Sequence, residues 1–184
     1  QAVCDGISKA FKQLCDLARI NCNVVFGDSW NEYEKPQKHA WNMVKIDKDW
    51  YHIDVTWNIN LSQRFKYVRY DYFNIRESDV IKDHRNFDKL EICDSLKNNF
   101  FYENKCILNG RNELEKFLVD KLNNIKNNNA SKNIYFKLYL KENEDACSLI
   151  SNAISKASIK TFYFSTGYTL NSNSTQNVYL IRLN

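Results

Sequence analysis

The sequence predicts an α+β protein built from two parts. A helix with one apolar stripe near the start precedes a strongly alternating hairpin, and these elements predict a core over residues 1–98 in which the helix packs on an antiparallel sheet. From residue 99 to residue 184 the predicted elements follow the order βαβαββ, which is typical of a small α+β domain. The sequence does not indicate the role of this second domain.

Composition supports a folded chain and excludes some classes of function. The 184 residues are 43% hydrophobic and 14% aromatic, which is enough to bury a core in one ordinary domain or two small ones. The net charge of +4 arises from 26 basic and 22 acidic residues without a long run of one sign, so we expect no nucleic-acid partner. No stretch approaches the roughly 18 apolar residues that a membrane span needs. We therefore expect no membrane span in this chain.

The first helix is predicted over residues 5–19. Its apolar residues recur with the spacing of one buried helical face, namely Ile7, Ala10, Phe11, Leu14, Leu17 and Ala18. Cys4 lies at the N-terminal end of this face, three residues before Ile7. We therefore predict a first-turn cysteine that points toward whatever the helix packs against.

A strand at residues 23–27 and a polar loop follow this helix. The loop contains Trp30 and Pro36, the only proline, and it is a candidate rim for a cleft. Residues 39–57 then alternate with period two. A two-residue turn at 47–48 brings the apolar positions of both strands onto one face.

This register makes specific neighbours. It pairs Trp41 with Asp54 and leaves His39 diagonal to Asp54 on the opposite face, within reach of an imidazole and a carboxylate. His52 shares the face of Asp54 by parity, with a structural or substrate-lining role favoured. We take Trp30, Trp41 and His52 as substrate-cleft candidates, although packing is the simpler role for Trp41.

The remaining chain is less informative about function. Residues 60–99 mix strand and turn material with a short helix, and residues 98–108 predict a strand or hairpin. Beyond them we predict helices at 111–126 and 144–157, and strands at 133–140, 159–168 and 176–183 around the turn-forming sequence NSNS. His84, in the sequence KDHR, is predicted to be structural.

The six cysteines form no CxxC pair and do not identify a compartment. Cys15 and Cys22 are predicted to pack in the core. A metal site made from Cys4, these two cysteines and the histidines would need spacings that fit no zinc pattern. We therefore expect neither a metal nor an organic cofactor.

Cysteine, histidine and aspartate together supply a nucleophile, a base and an orienting group. The thiolate is the nucleophile, and both a helix N-terminus and a neighbouring imidazolium favour it. Cys4 is placed for both effects. Asp54 would orient His39, and backbone N–H groups at the helix start would stabilise an oxyanion. Such a site performs acyl transfer on an amide or an ester.

The segments VCDGISKAFKQLCDLARI and HAWNMVKIDKDWYHIDVTWN closely resemble the transglutaminase-like, papain-like core. Cys4 opening a helix, His39 in HAW and Asp54 in D-x-T match the three motifs of that family in order and local context. The later YFNIRESDVIKDHR is similar to the segment that follows the core in bacterial members, so the resemblance covers about residues 2–88. It implies a papain-like fold and a Cys4–His39–Asp54 catalytic triad acting on a protein or peptide substrate.

Several alternatives remain open. The family includes protein cross-linking, amide hydrolysis, glycopeptide deglycosylation and inactive copies, and the triad does not choose among them. A catalytically silent binding or assembly module is therefore the competing hypothesis. Because the sequence begins three residues before Cys4, we expect an N-terminally truncated core. For the parent protein we expect a secreted or cell-surface location, and the sequence leaves the oligomeric state open.

Overall fold

The computed structural model describes residues 3–30, 35–127 and 130–184. It divides the chain into two compact units, residues 1–103 and 104–184. The predicted α+β class is confirmed, because each unit combines helices with a four-stranded sheet. In the first unit the elements are α1 (Cys4–Leu17), β1 (Cys22–Ser29), β2 (Gln37–Ile46), β3 (Asp49–Ile53), α2 (Val55–Phe65), α3 (Glu77–Val80), β4 (His84–Arg85) and α4 (Phe100–Glu103).

The helix α1 packs on strand β2 through polar as well as apolar contacts. Ser8 is buried because its hydroxyl donates a hydrogen bond to the carbonyl of Ala40, at 2.8 Å. Asn42 donates back to the carbonyl of Ser8 at 3.0 Å. Two residues of the predicted apolar stripe, Leu14 and Leu17, are 64% and 76% exposed instead. The buried face of α1 is therefore rotated toward Ser8 relative to the prediction.

The β2–β3 hairpin has the predicted register. β2 ends at Ile46 and β3 begins at Asp49, so the turn occupies residues 47–48, and Val44 pairs with Tyr51. The prediction that the second strand continues to residue 57 is wrong. Asp54 ends the strand and caps α2, because its carboxylate accepts a hydrogen bond from the backbone N–H of Trp57.

The first sheet has the strand order β3-β2-β1-β4, and apolar residues cover both of its faces. The face on the side of α1 contains Cys15, Cys22, Val44, Tyr51 and Ile53, which confirms that Cys15 and Cys22 belong to the core. A second cluster is formed by Val25, Trp41, Met43, Tyr72, Ile75, Val80 and Cys93. Because side chains alternate along β2, His39 projects on the face of Trp41 and Met43.

The second unit has the predicted βαβαββ order. Its elements are β5 (Ile107–Asn109), α5 (Gly110–Lys126), β6 (Asn133–Tyr139), α6 (Ala146–Thr161), β7 (Tyr168–Asn173) and β8 (Val178–Leu183). The strand order is β5-β6-β8-β7, with β5 and β6 parallel and the other pairs antiparallel.

Two strand predictions in the second half of the chain are wrong. The predicted strand at 159–168 begins inside α6, which continues to Thr161 because Ala153, Ala157 and Thr161 extend its buried face. Phe162 then ends the helix with a left-handed backbone, at φ 51°. The segment near residue 100 forms the short helix α4 rather than a strand, and only residues 107–109 are extended.

Within the described residues, no helix has the length and apolar character that a membrane crossing requires.

Candidate active site

A buried histidine–aspartate pair lies at the end of the β2–β3 hairpin. Nε2 of His39 is 2.7 Å from Oδ2 of Asp54, and the two residues are only 8% and 1% exposed. Strand β2 supplies the histidine, and the residue that follows β3 supplies the carboxylate. Because Nε2 faces the carboxylate, Nδ1 of His39 is the ring nitrogen that can exchange a proton with a reacting group.

The carboxylate of Asp54 is held at both oxygens. Oδ1 accepts the N–H of Trp57 at 3.0 Å, and Oδ2 accepts from His39 and also from Nε2 of His84, at 3.1 Å. Burial alone would raise the pKa of Asp54, but the hydrogen bonds and positive charge of the two histidines lower it below its ordinary value. Asp54 is therefore a stable anion despite its burial.

His84 is the residue of this cluster that sequence reasoning missed. It is fully buried in strand β4, and its second ring nitrogen, Nδ1, lies 2.7 Å from Oδ1 of Asp83. Burial would lower the pKa of His84, but the hydrogen bonds to Asp54 and Asp83 and their charges raise it to about 9. The one available signal was the charged run KDHR. Nothing in the sequence indicates that this run contacts Asp54, which lies 30 positions earlier.

Asp83 extends this network into the core. Its Oδ2 accepts a hydrogen bond of 2.7 Å from the hydroxyl of Tyr72, and its backbone carbonyl accepts from the N–H of Trp30. The side chains of His39, Asp54, His84, Asp83 and Tyr72 thus form one continuous chain of hydrogen bonds.

Trp41 and His52 support the pair from inside the core. Trp41 donates its Nε1–H to Nδ1 of His52 at 3.1 Å and stacks on His39, with ring centroids 6.1 Å apart. Burial and the charge of His84 lower the pKa of His52 to about 3, so it is neutral. Both of these candidates for lining a cleft are almost completely buried, whereas Trp30 is half-buried with the guanidinium of Arg85 above its ring.

Cys4 is the first residue of α1 and is half-buried. It precedes Ser8 by one turn on the same helical face, and Ser8 is bonded to Ala40, the neighbour of His39. The thiol of Cys4 forms no hydrogen bond or ion pair with residues 3–30, 35–127 or 130–184. The structure therefore joins two of the three predicted catalytic residues directly and holds the helix of the third against the strand that bears His39.

Three potential ligand atoms converge in this site. His39, Asp54 and His84 each offer one ligand atom, and these three atoms lie within 4.8 Å of one another. Nε2 of each histidine faces Oδ2 of Asp54. Both nitrogens are at hydrogen-bonding distance from the same oxygen, which is the geometry of N–H donors. His84 is also bonded to a carboxylate through its other nitrogen, so each of its ring nitrogens carries a proton. A protonated nitrogen has no lone pair for a metal, and the residues present do not fit one.

Comparison with known proteins gives a partial match. Residues 1–55 match the family model of the transglutaminase-like superfamily. Kyphoscoliosis peptidase of Homo sapiens is 26% identical over 121 residues, which are 55% of this chain and 18% of that protein. The protein of the same name from Mus musculus is 26% identical over 110 residues, 51% of this chain and 17% of that protein. The match thus spans less than a fifth of either relative. At the level of the family, it supports a papain-like, cysteine-based activity.

Proposed function

We propose, from the match of residues 1–55 to the transglutaminase-like superfamily, that the protein catalyses thiol-dependent acyl transfer or hydrolysis on peptide or protein amides. Cys4 is the nucleophile, His39 the general base and then the general acid, and Asp54 the group that orients His39. The reaction uses no metal and no organic cofactor.

The observation that carries this proposal is the buried His39–Asp54 pair. A carboxylate on one ring nitrogen fixes the orientation of the imidazole and stabilises its cationic form, as a cysteine nucleophile requires of its base. The pair engages Nε2 and leaves Nδ1 for the thiol. The hydrogen bond to Trp57 fixes the carboxylate from the other side.

The approach of Cys4 to His39 is supported by the end of strand β3. The last residue of β3, Ile53, pairs with Asn42, so within the described part of the chain residues 37–41 of β2 have no strand on that side. α1 and α2 contact each other, and α2 begins directly after Asp54. A first-turn side chain of α1 can therefore reach the imidazole around the open edge of β2.

The proposed reaction begins when the thiolate of Cys4 attacks the amide carbonyl and forms a carbon–sulfur bond. The carbonyl electrons move to the oxygen, and free backbone N–H groups in the first turn of α1 stabilise this oxyanion. His39 gives its proton to the leaving amine, the carbon–nitrogen bond breaks, and a thioester remains. Water or a second amine then attacks the thioester, gives a proton to His39, and releases the thiolate.

Selective alkylation tests this proposal without knowledge of the substrate. We expect iodoacetamide at pH 7 to modify Cys4 at least about tenfold faster than Cys147, which is exposed and serves as the internal reference. The other four thiols are buried, and burial raises the pKa of Cys15 and brings those of Cys22, Cys93 and Cys106 to about 12, 12 and 11. Peptide mapping by mass spectrometry separates the two reactive sites.

The variant His39→Gln completes this test. It should remove the advantage of Cys4 over Cys147, because the imidazolium that favours the thiolate is lost. Equal alkylation of both cysteines in the unmodified protein would contradict the assignment of Cys4 and favour a silent binding module.

Hydrolysis and transfer are separated by the acceptor. Ammonia release from glutamine-containing peptides should depend on Cys4 in either case, and we expect Cys4→Ala to abolish it. An added primary amine that is incorporated into the peptide identifies a transferase, whereas glutamate formation that the amine does not reduce identifies a hydrolase.

A further inference from the structure

His84 forms a buried bridge between two carboxylates. One ring nitrogen faces Asp54 at 3.1 Å and the other faces Asp83 at 2.7 Å. An ionised carboxylate only accepts hydrogen bonds, so both nitrogens carry protons and the ring is a cation. An uncompensated cation in this fully buried position would be very costly, and the two carboxylates offset that cost.

We propose that His84 is a positioning residue of the Cys4–His39–Asp54 site, a fixed cation that shares Oδ2 of Asp54 with His39 and sets how strongly Asp54 holds the catalytic imidazole. This inference rests on the proposed function of that site. His84 acts through Asp54 and does not contact the reacting atoms.

The first part of the argument is geometric. Asp54 is 1% exposed, so no bulk water can replace a missing donor. With His84 present, three donors fix the carboxylate: the N–H of Trp57 at Oδ1, and the two imidazoles at Oδ2. Without His84, one lone pair of Oδ2 loses its partner, and the carboxylate can rotate away from His39.

The second part is electrostatic. The rings of His84 and His39 are 5.4 Å apart between centroids, and both touch the same oxygen of Asp54. The cation on His84 opposes a second positive charge on His39, while Asp54 favours one. Removing His84 takes one positive charge away from the two carboxylates. The imidazolium of His39 would then hold its proton more tightly, which makes it a poorer general acid.

The described contacts of His84 include no lysine or arginine side chain that could replace its charge. The titratable groups of the described residues that contact His84 or interact with it electrostatically are Asp54, Asp83, His39, His52 and Tyr72. His52 is neutral, and Tyr72 donates to Asp83. The other packed groups are the rings of Trp41 and Trp57, and Ser29 lies opposite in β1.

Nitrogen NMR of the full chain tests the bridge independently of activity. The protein has three histidines, so the ring spectrum is simple to assign with one His84→Gln sample. We expect both ring nitrogens of His84 to be protonated at pH 7.5 and to lose a proton only near pH 9. A neutral His84 at pH 7.5 would overturn the proposal.

Kinetics of His84→Gln test the effect on catalysis. We expect kcat on a glutamine-containing peptide to fall roughly 10- to 100-fold with KM within about twofold, since the substrate is not contacted. The alkaline limb of the kcat profile should move upward by on the order of one pH unit. Asp83→Asn, which removes the outer carboxylate, should weaken the cation and give a smaller loss.

The matched control is Asp71→Asn. Asp71 is fully buried in the same unit and receives two hydrogen bonds from Arg69, at 2.7 Å each. This variant should lower stability without moving the alkaline limb. If His84→Gln behaves like Asp71→Asn, its role is only structural and the proposal fails. If Cys4→Ala keeps full activity, the proposed function fails instead, and the NMR result still decides whether the bridge exists.

Discussion

Gly27 lies directly opposite His39 in the ladder between β1 and β2. A Cβ atom at Gly27 would come within 2.6 Å of the carbonyl oxygen of Arg85 and 2.8 Å of the Trp41 ring. Arg85 belongs to β4, the strand that carries His84. The missing side chain therefore lets β4 approach closely enough for His84 to reach Asp54.

The variant Gly27→Ala should therefore lower the stability of the protein and disturb the contact between His84 and Asp54. We expect a loss of about 1–3 kcal/mol in the free energy of unfolding, because the contact on one side is backbone and cannot move alone. All four tryptophans lie between residues 30 and 57, so urea unfolding followed by tryptophan fluorescence reports on the first unit of the intact chain.

Gly6→Ala provides the control for this prediction. A Cβ at Gly6 meets nothing within 4 Å, and the residue is in α1. Alanine there should leave the protein equally stable or more stable by up to about 1 kcal/mol. Equal losses in the two variants would show that close packing at Gly27 is unimportant.

Asp54 has two separable roles, and two substitutions distinguish them. Asp54→Asn keeps an oxygen for the N–H of Trp57 but removes the charge that orients His39, so we expect kcat to fall by roughly 10²–10⁴-fold. Asp54→Ala removes the cap as well and should cost about 1 kcal/mol of additional stability. Ammonia release and urea unfolding measure the two effects. An active Asp54→Asn variant would remove Asp54 from the proposed triad.

The sequence predicts the His39–Asp54 neighbourhood well for a specific reason. Period-two alternation and a two-residue turn together determine the register of a hairpin, and both signals are strong at residues 39–53. The alternation continues by chance through Val55 and Trp57, which lie in α2. The capping aspartate of D-x-T-W marks the true end of the strand.

The contact of His84 with Asp54 cannot be predicted in this way, because the two residues are remote in sequence. It pairs with Asp54 only after β4 has joined β1, with Ser29 opposite His84. A two-residue strand has no periodicity to read. The position of β7 is mispredicted for a similar reason. Its residues are half-buried or exposed, so their strand pattern is weaker than the buried helical face at the end of α6.

The two buried histidines predict how stability depends on pH. His84 has its pKa raised from 6.5 to about 9, so its contribution is complete below pH 6.5 and is lost as the pH rises through 9. His52 has its pKa lowered to about 3, so the neutral ring contributes fully above pH 6.5 and less as the pH falls below that value. The first unit should therefore be most stable near pH 6.5.

One substitution tests the alkaline side of this pH dependence, and another tests the acidic side. In wild type, the free energy of unfolding should fall by up to about 1.4 kcal/mol per pH unit between pH 7 and 8.5. His84→Gln should make this slope clearly shallower, and His52→Gln should do the same for the slope between pH 6 and 4.5. These windows avoid the two main confounders, because Asp54 titrates lower and the buried thiols of Cys22 and Cys93 titrate higher. Urea titrations at each pH, followed by tryptophan fluorescence, measure both slopes. An alkaline slope as steep in His84→Gln as in the unmodified protein would mean that another group titrates and that His84 is not the buried cation.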